Sequence, residues 1–166
     1  MPVGVDLGEL YEASYGRLVA QLYAVCGDVA AAEDAVQDAF VTAIRKRRQL
    51  ADVANPEAWV RVTALNRIRS GWRHLAVVRR YQPQVPGPQV PVEVGPEHVA
   101  IVAALARLEL NERIVVVLHH LADLSIAAIA AELGISEGTV KSRLSRGRRL
   151  LAGLLDDSVG EEPRHA

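Results

Sequence analysis

The sequence predicts an all-α protein made of two small helical domains, with three helices before a proline-rich joint and four after it. Three observations carry this. Half of the residues are hydrophobic and only 4 % are aromatic, and the apolar share is dominated by Ala, Val and Leu, which suits close-packed helices better than a β-sandwich. Five of the eight prolines fall in YQPQVPGPQVPVEVGP, residues 81–96. Proline removes backbone donors and pushes its predecessor toward extended geometry, so this stretch reads as a stiff tether. On both sides of it, helix-starting and helix-ending residues recur at helix-length spacing. At 166 residues, each half has room for a modest core.

The first helix is expected from about Asp6 to Cys26, stopped by Gly27, which tolerates the left-handed backbone that ends helices. Asp28 is a good cap for a second helix reaching about Arg48. Asn55-Pro56-Glu57 opens the third with a cap, a proline at the first helical position and an acid in the first turn. That helix should run to about His74 or further, with Gly71 weakening its end. Beyond the tether, helices are expected over about 97–109, 112–121, 126–132 and 137–155, with Asn111, Ser125 and Ser136 as caps. The domains are then 1–80 and 97–157, and 158–166 is a polar tail.

Several function classes are disfavoured. The single Cys26 allows no internal disulfide and no cysteine cluster for zinc; at the end of an apolar run it reads as a buried core thiol. The opening MPVGVDLGEL has neither the basic region nor the apolar stretch of a secretory signal. No apolar run approaches the roughly 20 residues of a membrane helix, so a cytoplasmic location without membrane insertion is expected. His119 and His120 are adjacent, point to different helix sides and lack a metal-ligand spacing, so they read as structural. No paired carboxylates, Ser-His-Asp set, phosphate loop or metal pattern is present, so neither an enzyme nor a cofactor is expected.

Net charge is −1, which on average looks wrong for a nucleic-acid binder. The distribution says otherwise. Arg61 to Arg80 holds six arginines and no acid, and Lys141 to Arg149 holds five basic residues and no acid. Between them, residues 81–140 carry seven acids against Arg107 and Arg113. Two short basic segments suggest two localised anion contacts. Charge alone fits two solvated helix faces equally well.

The most specific local signal is LSIAAIAAELGISEGTVKSRLSRGRRLL, residues 124–151. Ile126, Ile129, Ala130 and Leu133 form a short apolar face, Leu133-Gly134-Ile135 makes a tight turn, and Ser136 caps the next helix. On that helix Val140, Leu144, Gly147 and Leu151 share one side, while Ser142, Ser145, Arg146 and Arg149 share the other, flanked by Lys141, Arg143 and Arg148. An apolar back with an Arg/Ser front fits a DNA major groove: arginine pairs bidentately with guanine, serine contacts bases or phosphates, and flanking cations meet the backbone. The amides from Ser136 to Thr139 suit a phosphate. The motif does not by itself say which kind of DNA-binding protein this is.

GISEGTVKSRLSRGRRLL resembles the last helix of the extracytoplasmic-function (ECF) sigma factors of bacterial RNA polymerase. GDVAAAEDAVQDAF (27–40) resembles their Asp-x-Val-Gln-Glu-Ala-Phe segment, and WVRVTALN (59–66) their Trp-Leu-x-x-Ile-Ala-x-Asn segment. The order, spacing and proline-rich joint match over roughly residues 7–155. The resemblance implies a region-2 domain for polymerase binding and the −10 element, and a region-4 helix-turn-helix domain for the −35 element. Ser136, Thr139, Lys141, Ser142, Arg143, Ser145, Arg146 and Arg149 become the −35 candidates.

In the second helix, Val29, Val36, Phe40 and Ala43 line an expected core face, and Asp34, Gln37, Asp38 and Val41 line the opposite one. A half-polar face with two acids is unsuited to DNA and suited to a basic protein partner; otherwise it is a solvated acidic face. The resemblance makes it the grip on the coiled coil of the largest polymerase subunit. It likewise assigns Asn66, with Arg61, Arg67, Arg69, Arg73 and His74, to the −10 element. An asparagine amide can both donate to and accept from a base edge exposed by strand opening. The family often has an acid where Ser70 or Gly71 stands, so its −10 base preference is not carried over. The 16-residue tether spans at most about 50–55 Å, comparable with about one and a half turns of duplex. Family members are commonly held by an anti-sigma protein, so such a partner is expected by resemblance. The rival reading is a polymerase-independent helix-turn-helix regulator.

Overall fold

The computed structural model describes residues 4–79 and 96–159, which form two compact units. Among these residues there are eight helices and no strand. Side chains are described to Trp72 in the first unit and to Leu154, with Asp156, in the second. The expected tether, apart from Pro96, and the tail from residue 160 lie outside the described residues.

Helix α1 (Leu7–Cys26) begins because the Asp6 carboxylate accepts from the amides of Gly8 and Glu9. It ends because Gly27 turns left-handed, at φ 73°, and returns its N–H to the Tyr23 carbonyl. Helix α2 (Val29–Arg45) starts immediately, with the Asp28 side chain accepting from the Ala31 amide. It stops three residues before the expected Arg48, because Lys46 leaves helical geometry at φ −103°, ψ 20°. The short α3 (Arg47–Leu50) then turns the chain so that Leu50 is buried. Helix α4 (Pro56–Arg79) opens as expected, the Asn55 side chain accepting from the Ala58 amide, and passes through Gly71 without a break.

Helices α1, α2 and α4 pack on one another. Ala32, Ala35, Ala39 and Ala43 bring α2 close, and Leu18, Leu22, Val25, Val36, Phe40, Val60 and Leu65 fill the core. Each such aliphatic or aromatic side chain contributes about 1.5–3 kcal/mol through burial. Of the expected α2 core face, Val36, Phe40 and Ala43 are buried and Val29 is only half-buried. Cys26 is also half-buried rather than core: its thiol donates to the Asp28 carbonyl at 3.2 Å, at the α1–α2 corner.

The second unit comprises α5 (Pro96–Leu105), α6 (Leu110–His120), α7 (Ile126–Leu133) and α8 (Glu137–Val159). Five consecutive residues of α6, Ile114 to Leu118, are buried; a helix apolar on every side lies at the centre of its unit, and α6 packs against both α7 and α8. Helix α5 ends at Leu105 rather than near 109, and the buried Arg113 donates to the carbonyls of Ala106 and Leu108 at 3.2 and 2.8 Å. That guanidinium satisfies acceptors freed between α5 and α6. Asn111 is not a cap. Helix α6 starts earlier, with Glu109 at the cap position, which places Asn111 inside the first turn.

Candidate nucleic-acid interface

The turn between α7 and α8 is built by its own residues. Ser125 caps α7 by accepting from the Ala128 amide at 3.1 Å. Gly134 ends it at φ 65°, where a side chain would be strained. Ser136 Oγ accepts from the Thr139 amide at 3.1 Å and lies 2.8 Å from the Thr139 hydroxyl. Helix α8 therefore has a fixed start. Its back is apolar: Val140, Leu144 and Gly147 are buried and Leu151 half-buried. Lys141, Ser142, Ser145, Arg146, Arg148 and Arg149 are exposed, while Thr139 and Arg143 are half-buried. Backbone N–H groups of the first turn, the Ser136 hydroxyl and this cationic front lie on one continuous stretch of chain, which suits an anionic groove.

Two features hold α8 to α6. A Cβ added at Gly147 would lie 2.6 Å from Val116 Cγ2, so a side chain there would force Val116 to shift. One residue earlier, Arg146 Nε lies 3.3 Å from Glu112 Oε1; the Glu112 side chain is 8 % exposed and that of Arg146 58 %. His120, at the end of α6, stands 3.5 Å from Arg148 Nε through Nε2. Burial, then the charge of Arg148, then His119 push its pKa below the ordinary histidine value. His119 Nδ1 lies 2.9 Å from the Leu124 carbonyl. Among the described residues no cluster of three His, Cys, Asp or Glu could hold a metal ion.

In the first unit, Asn66 and Arg67 are exposed on α4 and Arg69 is half-buried. The side chains of Arg73 and His74 lie outside the described residues. Arg61 requires a correction. It is 5 % exposed, donates through Nε to Gln21 Oε1 at 3.0 Å, and pairs with Glu57 Oε1 at 3.2 Å. A guanidinium enclosed between α1 and α4 does not present itself to a phosphate, so Arg61 leaves the DNA-binding set. Trp59 and Trp72 are both half-buried.

The acidic face of α2 is present as a surface. Asp34, Gln37 and Val41 are exposed and Asp38 is half-buried. The Gln37 amide donates to the Tyr15 hydroxyl at 3.3 Å, and Asp38 pairs with Arg67 of α4. Ile44, outside the expected set, continues the stripe one turn beyond Val41; they are 59 % and 44 % exposed. The i, i+3 spacing carried that signal. Exposed Arg45, Lys46, Arg47 and Arg48 follow.

A Sigma-70 region 2 model matches residues 10–77, and a Sigma-70, region 4 model matches residues 98–151. The ECF RNA polymerase sigma factor SigL of Mycobacterium tuberculosis is 37 % identical over 132 residues, 75 % of each chain. The chain belongs to the ECF sigma factors. SigM of the same organism is 34 % identical over 128 residues, covering 75 % of this sigma factor and 64 % of SigM. Among solved structures, the sigma factor RpoE in complex with the anti-sigma factor NepR from Bartonella quintana aligns with a TM-score of 0.77 at 26 % identity, over 91 % of this chain and 97 % of that one. CnrH in complex with the cytosolic domain of CnrY aligns with a TM-score of 0.71 at 25 % identity, over 91 % and 88 %. The protein is thus a transcription initiation factor that works with core polymerase at promoters, and not an enzyme. A stand-alone regulator sharing only the helix-turn-helix does not account for the match over residues 10–77.

Proposed function

We propose that this sigma factor divides promoter recognition between its two units, as follows. The exposed front of α8, with Ser136, Lys141, Ser142, Ser145, Arg146 and Arg149 and the half-buried Thr139 and Arg143, enters the major groove of the −35 element. Asn66, with Arg67, Arg69, Arg73 and His74, engages the opened −10 element. The face of Asp34, Gln37, Asp38 and Val41, extended by Ile44, docks on the coiled coil of the largest polymerase subunit. One observation carries most of this: on α8 the apolar positions are buried and the Ser, Lys and Arg positions stand out from a capped helix start. Such a helix is anchored by its back and offers hydrogen-bond donors to base edges and phosphates.

The protein acts in the cytoplasm, beside polymerase and DNA; among the described residues no helix is long and apolar enough to cross a membrane. An anti-sigma partner is part of the proposal, because the aligned RpoE structure is a complex with one. Binding to core polymerase together with run-off transcription from a promoter mapped by its transcripts tests the whole. Success in both is expected, and failure to associate with core would refute it.

A further inference from the structure

We infer that Glu112 of α6 is a positioning residue for promoter reading: it holds the Arg146 side chain by its Nε side, so that the outer edge of the guanidinium faces the DNA. The inference rests on the assignment of Arg146 to the −35 element. It goes beyond that assignment by placing part of the specificity on a residue that touches no base.

The geometry is asymmetric. Glu112 is buried, whereas Arg146 is mostly exposed, and the approach is between Oε1 and Nε at 3.3 Å. The carboxylate is fixed by its helix, as the third residue after the Glu109 cap, where a negative charge also suits the helix dipole. A buried anchor restrains a long side chain that would otherwise sample many rotamers, and each rotamer lost on binding costs affinity. With Nε turned to Glu112, the two terminal nitrogens remain for an end-on fork onto guanine O6 and N7.

The backbone beneath Arg146 is restrained as well. Gly147 lies against Val116, and its added Cβ would also come within 4.0 Å of the Glu112 carbonyl. The close helix crossing therefore sits beside the ion pair, and α6 fixes both the root and the middle of the Arg146 side chain. An acid 3.3 Å from a DNA-facing arginine is otherwise costly, because it repels phosphates. Loss of this acid alone should strengthen sequence-independent binding.

The test uses the full-length chain assembled with core polymerase, on its transcript-mapped promoter and on versions with each −35 base pair substituted in turn. Arg146→Ala should lose discrimination at one or two adjacent base pairs by about 5- to 150-fold. Glu112→Gln should lose discrimination at the same base pairs, by less than Arg146→Ala does, while affinity for unrelated duplex holds or rises. In the Arg146→Ala background, Glu112→Gln should remove no further discrimination. If Glu112→Gln melts the second unit, Glu112→Asp takes its place, since it keeps the helix-start charge but is one methylene too short for Nε. Unchanged discrimination in the Glu112 variant, or an equal loss at every −35 position, overturns the positioning role while leaving Arg146 as reader. No loss for Arg146→Ala overturns the −35 assignment itself.

Discussion

Arg61→Ala is expected to damage folding of the first unit rather than DNA contact. Truncation leaves Gln21, 6 % exposed, without its guanidinium partner, and an orphaned buried polar group costs about 1–3 kcal/mol. Two methylenes also leave a position that is 5 % exposed, about 1.6 kcal/mol at about 0.8 each. Glu57 adds little to the penalty, because Arg17 still holds it at 3.0 Å. The sum is about 3–5 kcal/mol, and at about 4–8 °C per kcal/mol for a unit of this size the melting midpoint should fall by about 12 °C or more. Both tryptophans, Trp59 and Trp72, lie on α4, so intrinsic fluorescence reads the first unit separately from the second. Arg67→Ala is the control: its side chain is 66 % exposed and pairs with a half-exposed Asp38, so about 1 kcal/mol or less is at stake. An unchanged Arg61→Ala midpoint, together with impaired promoter opening, would return Arg61 to the DNA surface and refute this reasoning.

Other substitutions separate the three proposed surfaces. Arg146→Ala should abolish the effect of −35 mutations at one or two adjacent base pairs in run-off transcription, where a bidentate arginine contact is worth about 1–3 kcal/mol, while core binding is unchanged. Asp34→Ala combined with Gln37→Ala should weaken core association about tenfold in a fluorescence-anisotropy titration with an unchanged tryptophan melt; intact affinity would remove these residues from the docking face. Asn66→Ala should slow open-complex formation, measured by permanganate reactivity, more than it lowers initial promoter affinity, and equal losses would count against strand reading. Gly147→Val should drive a branched side chain into Val116 and lower stability of the second unit by about 1–3 kcal/mol, visible as a lower far-UV circular dichroism transition with the tryptophan transition preserved.

Local chemistry was legible where one short stretch decides the outcome. Asp28, Asn55-Pro56, Ser125, Gly134 and Ser136 bound helices as expected, because a cap or a left-handed residue acts on backbone groups within four positions of itself. Long-range partners were not legible. Arg61 sits in a run of arginines and resembles its neighbours, yet its partner Gln21 is 40 residues away on another helix. Arg146 reads as front-face cation, with no sign in its own helix of the buried Glu112 beneath it. Asn111 has the right residue type for a cap, but α6 begins before it, and the Arg113 guanidinium donates across the α5–α6 junction. Charge runs tell which segments are basic; burial decides which of their members face outward.

The claim that the two units touch separate promoter elements is tested most directly by site-specific photo-crosslinking in the assembled holoenzyme. A crosslinker would be placed at Ser70 of α4 and, in a second protein, at Ser142 of α8; both positions are exposed. The expected result is a Ser70 crosslink confined to the −10 region, a Ser142 crosslink confined to the −35 region, and loss of the first when Asp34 and Gln37 are replaced. Crosslinks from both positions to a single element, or full −10 crosslinking without core polymerase, would contradict it.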